Sequence, residues 1–175
     1  MRLTLIAAQS LDGFITRHDT PGSGFASAED RAFFREALRA FDCCVMGGET
    51  YRTARESIRA MLMPERLRVV LTRTPAKFLN DSVPGKLEFT NCTPNQLVTE
   101  LRERGLQHCA ILGGAQIHSL FLDAGLIDEL WLTIEPLLFG GGTPLLAARS
   151  STKLTLLSSE RLAPSTLLLK YQAEK

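Results

Sequence analysis

Two short apolar runs, Cys43 to Met46 and Cys109 to Leu112, each end in a glycine pair, Gly47-Gly48 and Gly113-Gly114, and each pair is followed by a helical pattern. An apolar run of this length without polar alternation reads as a strand buried on both faces, and such strands belong to parallel sheets. Parallel neighbours need a long crossover, usually a helix, so strands and helices must alternate. This one pattern excludes an all-helical bundle and a β-sandwich.

The rest of the chain repeats the alternation. Leu3 to Ala8 is a short apolar run stopped by a turn at Asp12-Gly13. Ser27 with Asp30 three residues on has the form of a helix start, and Phe33, Phe34, Ala37, Leu38 and Phe41 follow at helical spacing, so a helix is expected over Ser27 to Ala40. A polar helix is expected from Glu49, and strands at Leu67 to Leu71 and Leu87 to Phe89. Thr93-Pro94 opens a helix that Gly105 ends. Another helix places Ile117, Leu120, Phe121 and Ala124 on one face, and Leu130 to Ile134 reads as a strand. After Gly140-Gly141-Gly142, Leu154 to Leu157 and Leu167 to Tyr171 read as an antiparallel hairpin around Ala163-Pro164-Ser165. The expectation is one α/β domain over 1–175: three layers, a mainly parallel central sheet with helices on both faces, and a C-terminal antiparallel hairpin.

Composition enters as a set of exclusions. With 20 basic residues against 19 acidic, the chain lacks the positive excess of a nucleic-acid binder. No apolar run approaches the ~18 residues of a membrane span, and Met1 to Ala8 has no signal-peptide form, so a cytoplasmic protein is expected, without membrane or nucleic-acid partners. Cys43, Cys44, Cys92 and Cys109 lack zinc or C-x-x-C spacing and read as small, mostly buried thiols, and His18, His108 and His118 form no ligand set, so no metal is expected. His118 reads as a surface or packing residue, and Trp131 as core.

A glycine pair at a strand-to-helix turn lets backbone N–H groups approach an anion, and the helix N-terminus adds about half a positive charge. Either pair alone could be an ordinary tight turn; two in one small sheet suggest a dinucleotide diphosphate held between them. Neither matches G-x-G-x-x-G or the Walker phosphate loop, which argues against an ordinary Rossmann enzyme or a P-loop nucleotidase.

Several segments together resemble the dihydrofolate reductase superfamily. Leu5 to Ile15, containing Ser10-Leu11-Asp12-Gly13, is similar to its opening strand and loop; Val45 to Tyr51 and Leu112 to His118 are similar to its two glycine turns; Leu130 to Thr133 with Gly140 to Thr143 is similar to the strand and loop that close its site. Ser10 to Gly13, Gly125 to Leu130 and Pro136 to Gly142 resemble most the pyrimidine reductases of riboflavin biosynthesis, found also as the C-terminal domain of the bifunctional deaminase–reductase.

The resemblance implies NADPH as cofactor. Ala7, Ala8, Ile15 and Thr16 would receive the nicotinamide and its ribose, with Thr143 from the closing loop. Gly47, Gly48, Glu49 and Thr50 would lie under the phosphates with Leu112, Gly113, Gly114, Ala115, Gln116 and Ile117. Thr72 and Arg73 would meet the adenosine 2′-phosphate, Arg73 alternatively being a solvated loop charge. Asp30 matches the folate-type carboxylate and would order the substrate or a proton, unless it serves only as a helix-start acid; Glu29 competes for the role. A heterocyclic substrate would meet Phe25, Asp30, Phe34, Thr133 and Arg66, the last matching a position that anchors a carboxylate tail. Arg52, Arg55 and Arg59 are further cationic candidates or a solvated face.

The chain departs from the riboflavin branch in two places. Leu112 stands where that branch commonly has a substrate-contacting glutamate, and Tyr51 to Arg59 is basic and proline-free where acidic residues and proline are frequent. Reduction of dihydrofolate or another pterin, and a non-catalytic NADPH-binding sensor, therefore stay beside the pyrimidine reductase. An exposed hairpin and an apolar edge at Leu130 to Leu138 point to a homodimer.

Overall fold

The computed structural model describes residues 1–174. Eight strands form one sheet: β1 (Arg2–Ser10), β2 (Cys43–Gly47), β3 (Leu67–Leu71), β4 (Leu87–Thr90), β5 (His108–Ile111), β6 (Glu129–Glu135), β7 (Leu154–Ala163) and β8 (Thr166–Ala173). Four helices join them: α1 (Ala28–Ala37), α2 (Gly48–Ala60), α3 (Pro94–Glu103) and α4 (Ala115–Asp123).

The strand order is β4-β3-β2-β5-β1-β6-β8-β7. β4 through β6 run parallel, and β8 and β7 close one side as an antiparallel hairpin. β2 and β3 are buried along their whole length, as the unbroken apolar runs require. Successive side chains leave opposite faces of the sheet. Cys43 and Val45 of β2 therefore join one core with Leu97, Leu101 and Phe121 of α3 and α4, while Cys44 and Met46 join another with Tyr51 of α2 and Phe34 of α1. These two cores are the two interfaces of a three-layer α/β structure. Each fully buried Leu or Phe, such as Leu101 or Phe121, contributes about 1.5–3 kcal/mol through removal from water.

Local signals account for the helix ends. Ser27 caps α1 by accepting from the N–H of Asp30 at 3.1 Å. Thr93 and Gln96 form a capping box on α3, with Pro94 in the first turn. The expected long first helix is shorter: it stops at Ala37, and Leu38 to Ala40 tighten into a 3₁₀ turn. α2 opens at Gly48 rather than Glu49.

Two expectations need correction. Of the expected α4 face, Ile117 and Phe121 are buried, but Leu120 is half exposed and His118 and Leu122 take the buried side instead. β6 is no edge: it lies between β1 and β8, so the free edge near the C-terminus is β7, where Leu156 and Leu157 are exposed.

Among the described residues no helix is long and apolar enough to cross a membrane. Cys43, Cys44 and Cys109 are buried free thiols and Cys92 is partly buried; no cluster of His, Cys, Asp and Glu among the described residues could hold a metal. Trp131 is half-buried against Phe41 and Phe33, with the Lys170 ammonium over its ring.

Candidate active site

The strand order brings the two glycine turns together. β5 sits between β2 and β1, so the turns that follow β2 and β5 are neighbours at the carboxyl ends of adjacent parallel strands, where open α/β sheets bind ligands. The N–H of Gly47 donates to the carbonyl of Gly113 at 2.7 Å. Gly113 has φ +91°, and a Cβ there would meet His118 Nε2 at 2.6 Å, so only glycine fits. The Gly113-Gly114 peptide is cis.

The N-termini of α1 and α3 carry side-chain caps, whereas those of α2 and α4 have none. The first N–H groups of an uncapped helix need outside partners. α2 and α4 direct theirs into one cleft of about 2070 Å³, which exceeds the ~300–1,000 Å³ of a single small-ligand pocket and leaves room for two molecules.

The cleft is lined by Ala7, Ala8, Ile15 and Thr16 from β1 and its loop, and by Gly47, Gly48, Glu49 and Thr50 from the first turn. Leu112, Gly114, Ala115, Gln116 and Ile117 come from the second turn, and Thr72, Arg73 and Thr143 from other loops. Gly113 is buried beneath the second turn. Asp30, Phe34 and Arg66 line the remaining wall. Phe25 and Thr133 lie behind the surface. Phe25 packs edge-on against Phe139 at 5.1 Å, and Thr133, 1% exposed, sets its hydroxyl beside the Asp30 carboxylate.

The loop that closes the site is pinned by Asp12. Its carboxylate accepts from Ser10 Oγ at 2.6 Å and from the N–H of Gly140 at 2.7 Å, with longer bonds from Phe139 N–H, and these hold its pKa below the usual range. Further along, Thr143 N–H donates to Thr16 Oγ1 and Ile15 N–H to the Thr143 carbonyl, both at 2.8 Å. Gly142 passes so close that a Cβ would lie 2.3 Å from the Thr16 carbonyl oxygen.

Of the two candidate acids, Glu29 is exposed and Asp30 is 8% exposed and faces the cleft. Burial pushes the Asp30 pKa up, the Thr133 hydroxyl opposes this, and the charge of Glu135 pushes it further up. Glu135 was not among the sequence candidates. It is buried, and it accepts from Ser27 N–H at 2.7 Å and from the Thr166 hydroxyl at 3.0 Å, so it also fixes the start of the helix that carries Asp30. A lone glutamate ending a strand carries no motif to reveal this.

The basic face of α2 is consumed internally. Arg55 and Arg59 bond the Asp81 carboxylate, Tyr51 donates to it at 2.9 Å, and Arg52 pairs with Glu49. These bonds hold the Asp81 pKa down at about 2, with Arg55 the largest cause. His118 is a packing residue: Nδ1 donates to the Leu145 carbonyl at 2.9 Å, and burial lowers its pKa to about 4, so the ring is neutral.

The paired uncapped helix ends of α2 and α4 thus open onto one cleft large enough for two ligands. The sequence matches the family model described as the RibD C-terminal domain over residues 2–168, and the chain belongs to that family. A 2,5-diamino-6-ribosylamino-4(3H)-pyrimidinone 5′-phosphate reductase from Methanothermobacter thermautotrophicus is 28% identical, with 78% of each chain covered. A pyrimidine reductase-like protein from Corynebacterium diphtheriae superposes with a TM-score of 0.76 at 18% identity, covering 99% of this chain and 92% of the other. The deaminase/reductase of Thermotoga maritima superposes with a TM-score of 0.80 at 19% identity, and this chain spans 56% of it.

Proposed function

We propose that this protein is an NADPH-dependent reductase of a phosphorylated ribosylaminopyrimidine, 5-amino-6-(5-phosphoribosylamino)uracil or a close relative. The observation that carries the reading is the pair of uncapped N-termini of α2 and α4 facing one cleft. Anionic oxygens there gain hydrogen bonds from N–H groups that otherwise lack partners, together with the helix dipoles. The site fits the cofactor chemically: a Cβ at Gly48 would lie 3.3 Å from Thr72, so the bare backbone leaves a cradle where a diphosphate can lie.

In this reading Gly48, Glu49, Thr50, Ala115 and Gln116 hold the diphosphate, Thr72 and the exposed Arg73 hold the 2′-phosphate, and Ala7, Ala8, Ile15, Thr16 and Thr143 receive the nicotinamide riboside. When bound, the cofactor supplies a hydride for an imine-like carbon of the substrate. The chain supplies orientation and a proton. Asp30, buried beside Thr133 and Glu135, holds a proton more tightly than a solvated carboxylate and can deliver it to the substrate nitrogen. Leu112 and Phe34 give that half of the cleft an apolar wall against the ring.

The sequence similarity to the Methanothermobacter reductase, which acts on a ribosylaminopyrimidine phosphate, supports the substrate class. A second copy would pair along β7, the exposed edge. The test is consumption of NADPH, followed by its absorbance, with the pyrimidine phosphate and with dihydrofolate. Turnover of the pyrimidine alone supports the proposal; turnover of dihydrofolate alone replaces it, and tight NADPH binding with turnover of neither leaves a cofactor sensor.

A further inference from the structure

Two carboxylates are buried near the carboxyl end of β6, and among the described residues neither forms an ion pair. Asp30 is 8% exposed and faces the cleft; Glu135 is 2% exposed and lies behind the cleft wall. One residue ties them together. Ser27 Oγ accepts from the N–H of Asp30 at 3.1 Å, and the N–H of Ser27 donates to Glu135 Oε1 at 2.7 Å. Thr133, two residues before Glu135 and so on the same face of β6, sets its hydroxyl beside Asp30.

The two acids are not equivalent. Both oxygens of Glu135 accept hydrogen bonds, Oε1 from the fixed N–H of Ser27 and Oε2 from the Thr166 hydroxyl at 3.0 Å, and the start of α1 favours an anion there. The Asp30 carboxylate has the Thr133 hydroxyl alone among the described residues. The surrounding charges are turned elsewhere. Ser10, opposite Glu135 on β1, gives its hydroxyl to Asp12 on the following loop. Arg31, the neighbour of Asp30 on α1, is the opposing charge, and its guanidinium bonds the Ala26 carbonyl. Two carboxylates in one desolvated place do not both ionise readily, so a proton stays on the one with fewer donors. That one is Asp30, whose pKa is raised by burial first and by the charge of Glu135 as well.

We propose that Glu135 is a positioning residue: a fixed anion behind the cleft wall that keeps the transferable proton on Asp30 and sets the start of the helix presenting it. The proposal rests on the reading of Asp30 as the acid of a reductase; the carboxylate pair itself stands on burial and the shared Ser27. Glutamine at 135 tests the charge alone, because its amide accepts from Ser27 and donates to Thr166 Oγ1 in the same shape.

The first measurement needs no turnover: carbon-13 NMR of the labelled carboxyl groups against pH, in wild type, E135Q and, for assignment, D30N. In wild type the Asp30 and Glu135 carboxyls should share the same inflections, as coupled groups do. In E135Q, Asp30 should lose its proton about one pH unit lower or more, a roughly tenfold weaker hold. Should E135Q fail to fold, the wild-type inflections alone decide. The second measurement is the pH profile of kcat/KM for NADPH-dependent reduction of the pyrimidine phosphate. In E135Q its alkaline limb should move down by the same amount while the rate at low pH is kept. Independent titration of Asp30 in wild type, an unmoved Asp30 midpoint in E135Q, or a rate loss equal at every pH overturns the role of Glu135; turnover of the pyrimidine phosphate then still upholds the reductase reading. Coupled titration that E135Q shifts, without turnover of any pyrimidine phosphate, keeps the pair and removes the reductase reading.

Discussion

The N–H of Gly47 donates to the carbonyl of Gly113 at 2.7 Å, although 66 residues separate them, and this bond locks the two glycine turns side by side. It follows from β2 and β5 being parallel neighbours. Through it, one change in either turn reaches both helix ends.

Gly113→Ala is the sharpest probe of that lock. The new methyl needs a positive φ that alanine disfavours and space held by the His118 ring. A cost of about 1–3 kcal/mol is expected from the backbone alone. Denaturant unfolding should show at least this loss, with NADPH affinity falling more than tenfold.

Asp30→Asn should lower kcat by about 10²–10⁴-fold, because the amide cannot deliver a proton, while NADPH affinity stays near wild type. The sign of the pH effect follows from the raised pKa. The active form is protonated, so kcat/KM should fall as pH rises through the folded-state pKa of Asp30. The folded protein also binds this proton more tightly than the unfolded chain, so the same group's contribution to stability fades over that rise. A profile that rises with pH through that range, or an unchanged rate in the asparagine variant, removes Asp30 from the chemistry.

Arg73→Gln should erase the preference for NADPH over NADH. A hydrogen bond to a charged group is worth about 1.5–3 kcal/mol, so NADPH should weaken by roughly 10- to 150-fold and NADH hardly at all. Titration of both nucleotides checks this; equal weakening of the two would place the 2′-phosphate elsewhere.

Asp81→Ala should destabilise the fold without touching the cleft. It leaves the buried Tyr51 hydroxyl unpaired, about 1–3 kcal/mol, and frees Arg55 and Arg59. The wild-type pKa of about 2 lies below the ordinary aspartate value of 3.8, so the stability that the carboxylate gives is full above the unfolded value and lost as pH falls toward 2. Acid unfolding of wild type and variant should converge below that range.

Much of the fold was legible because its signals are local. β3 occupies the span that the apolar run Leu67 to Leu71 marks, and Thr93-Pro94 starts α3. The glycine pairs were readable as strand-to-helix turns because each follows an unbroken apolar run and precedes a helical pattern. The hairpin was read too short: β7 is an exposed edge whose residues answer to β8 rather than to an apolar pattern. The arginines of α2 looked available because their partner, Asp81, stands 22 and 26 residues away in sequence. Glu135 escaped for the same reason: a charge looks solvated until the fold buries it.

The most direct measurement is the backbone amide NMR spectrum of labelled protein during titration with NADPH. The account predicts that the largest shifts fall on Gly48, Glu49 and Thr50 and on Ala115 and Gln116 together, at one common affinity. Shifts confined to one turn, or centred away from both, contradict it.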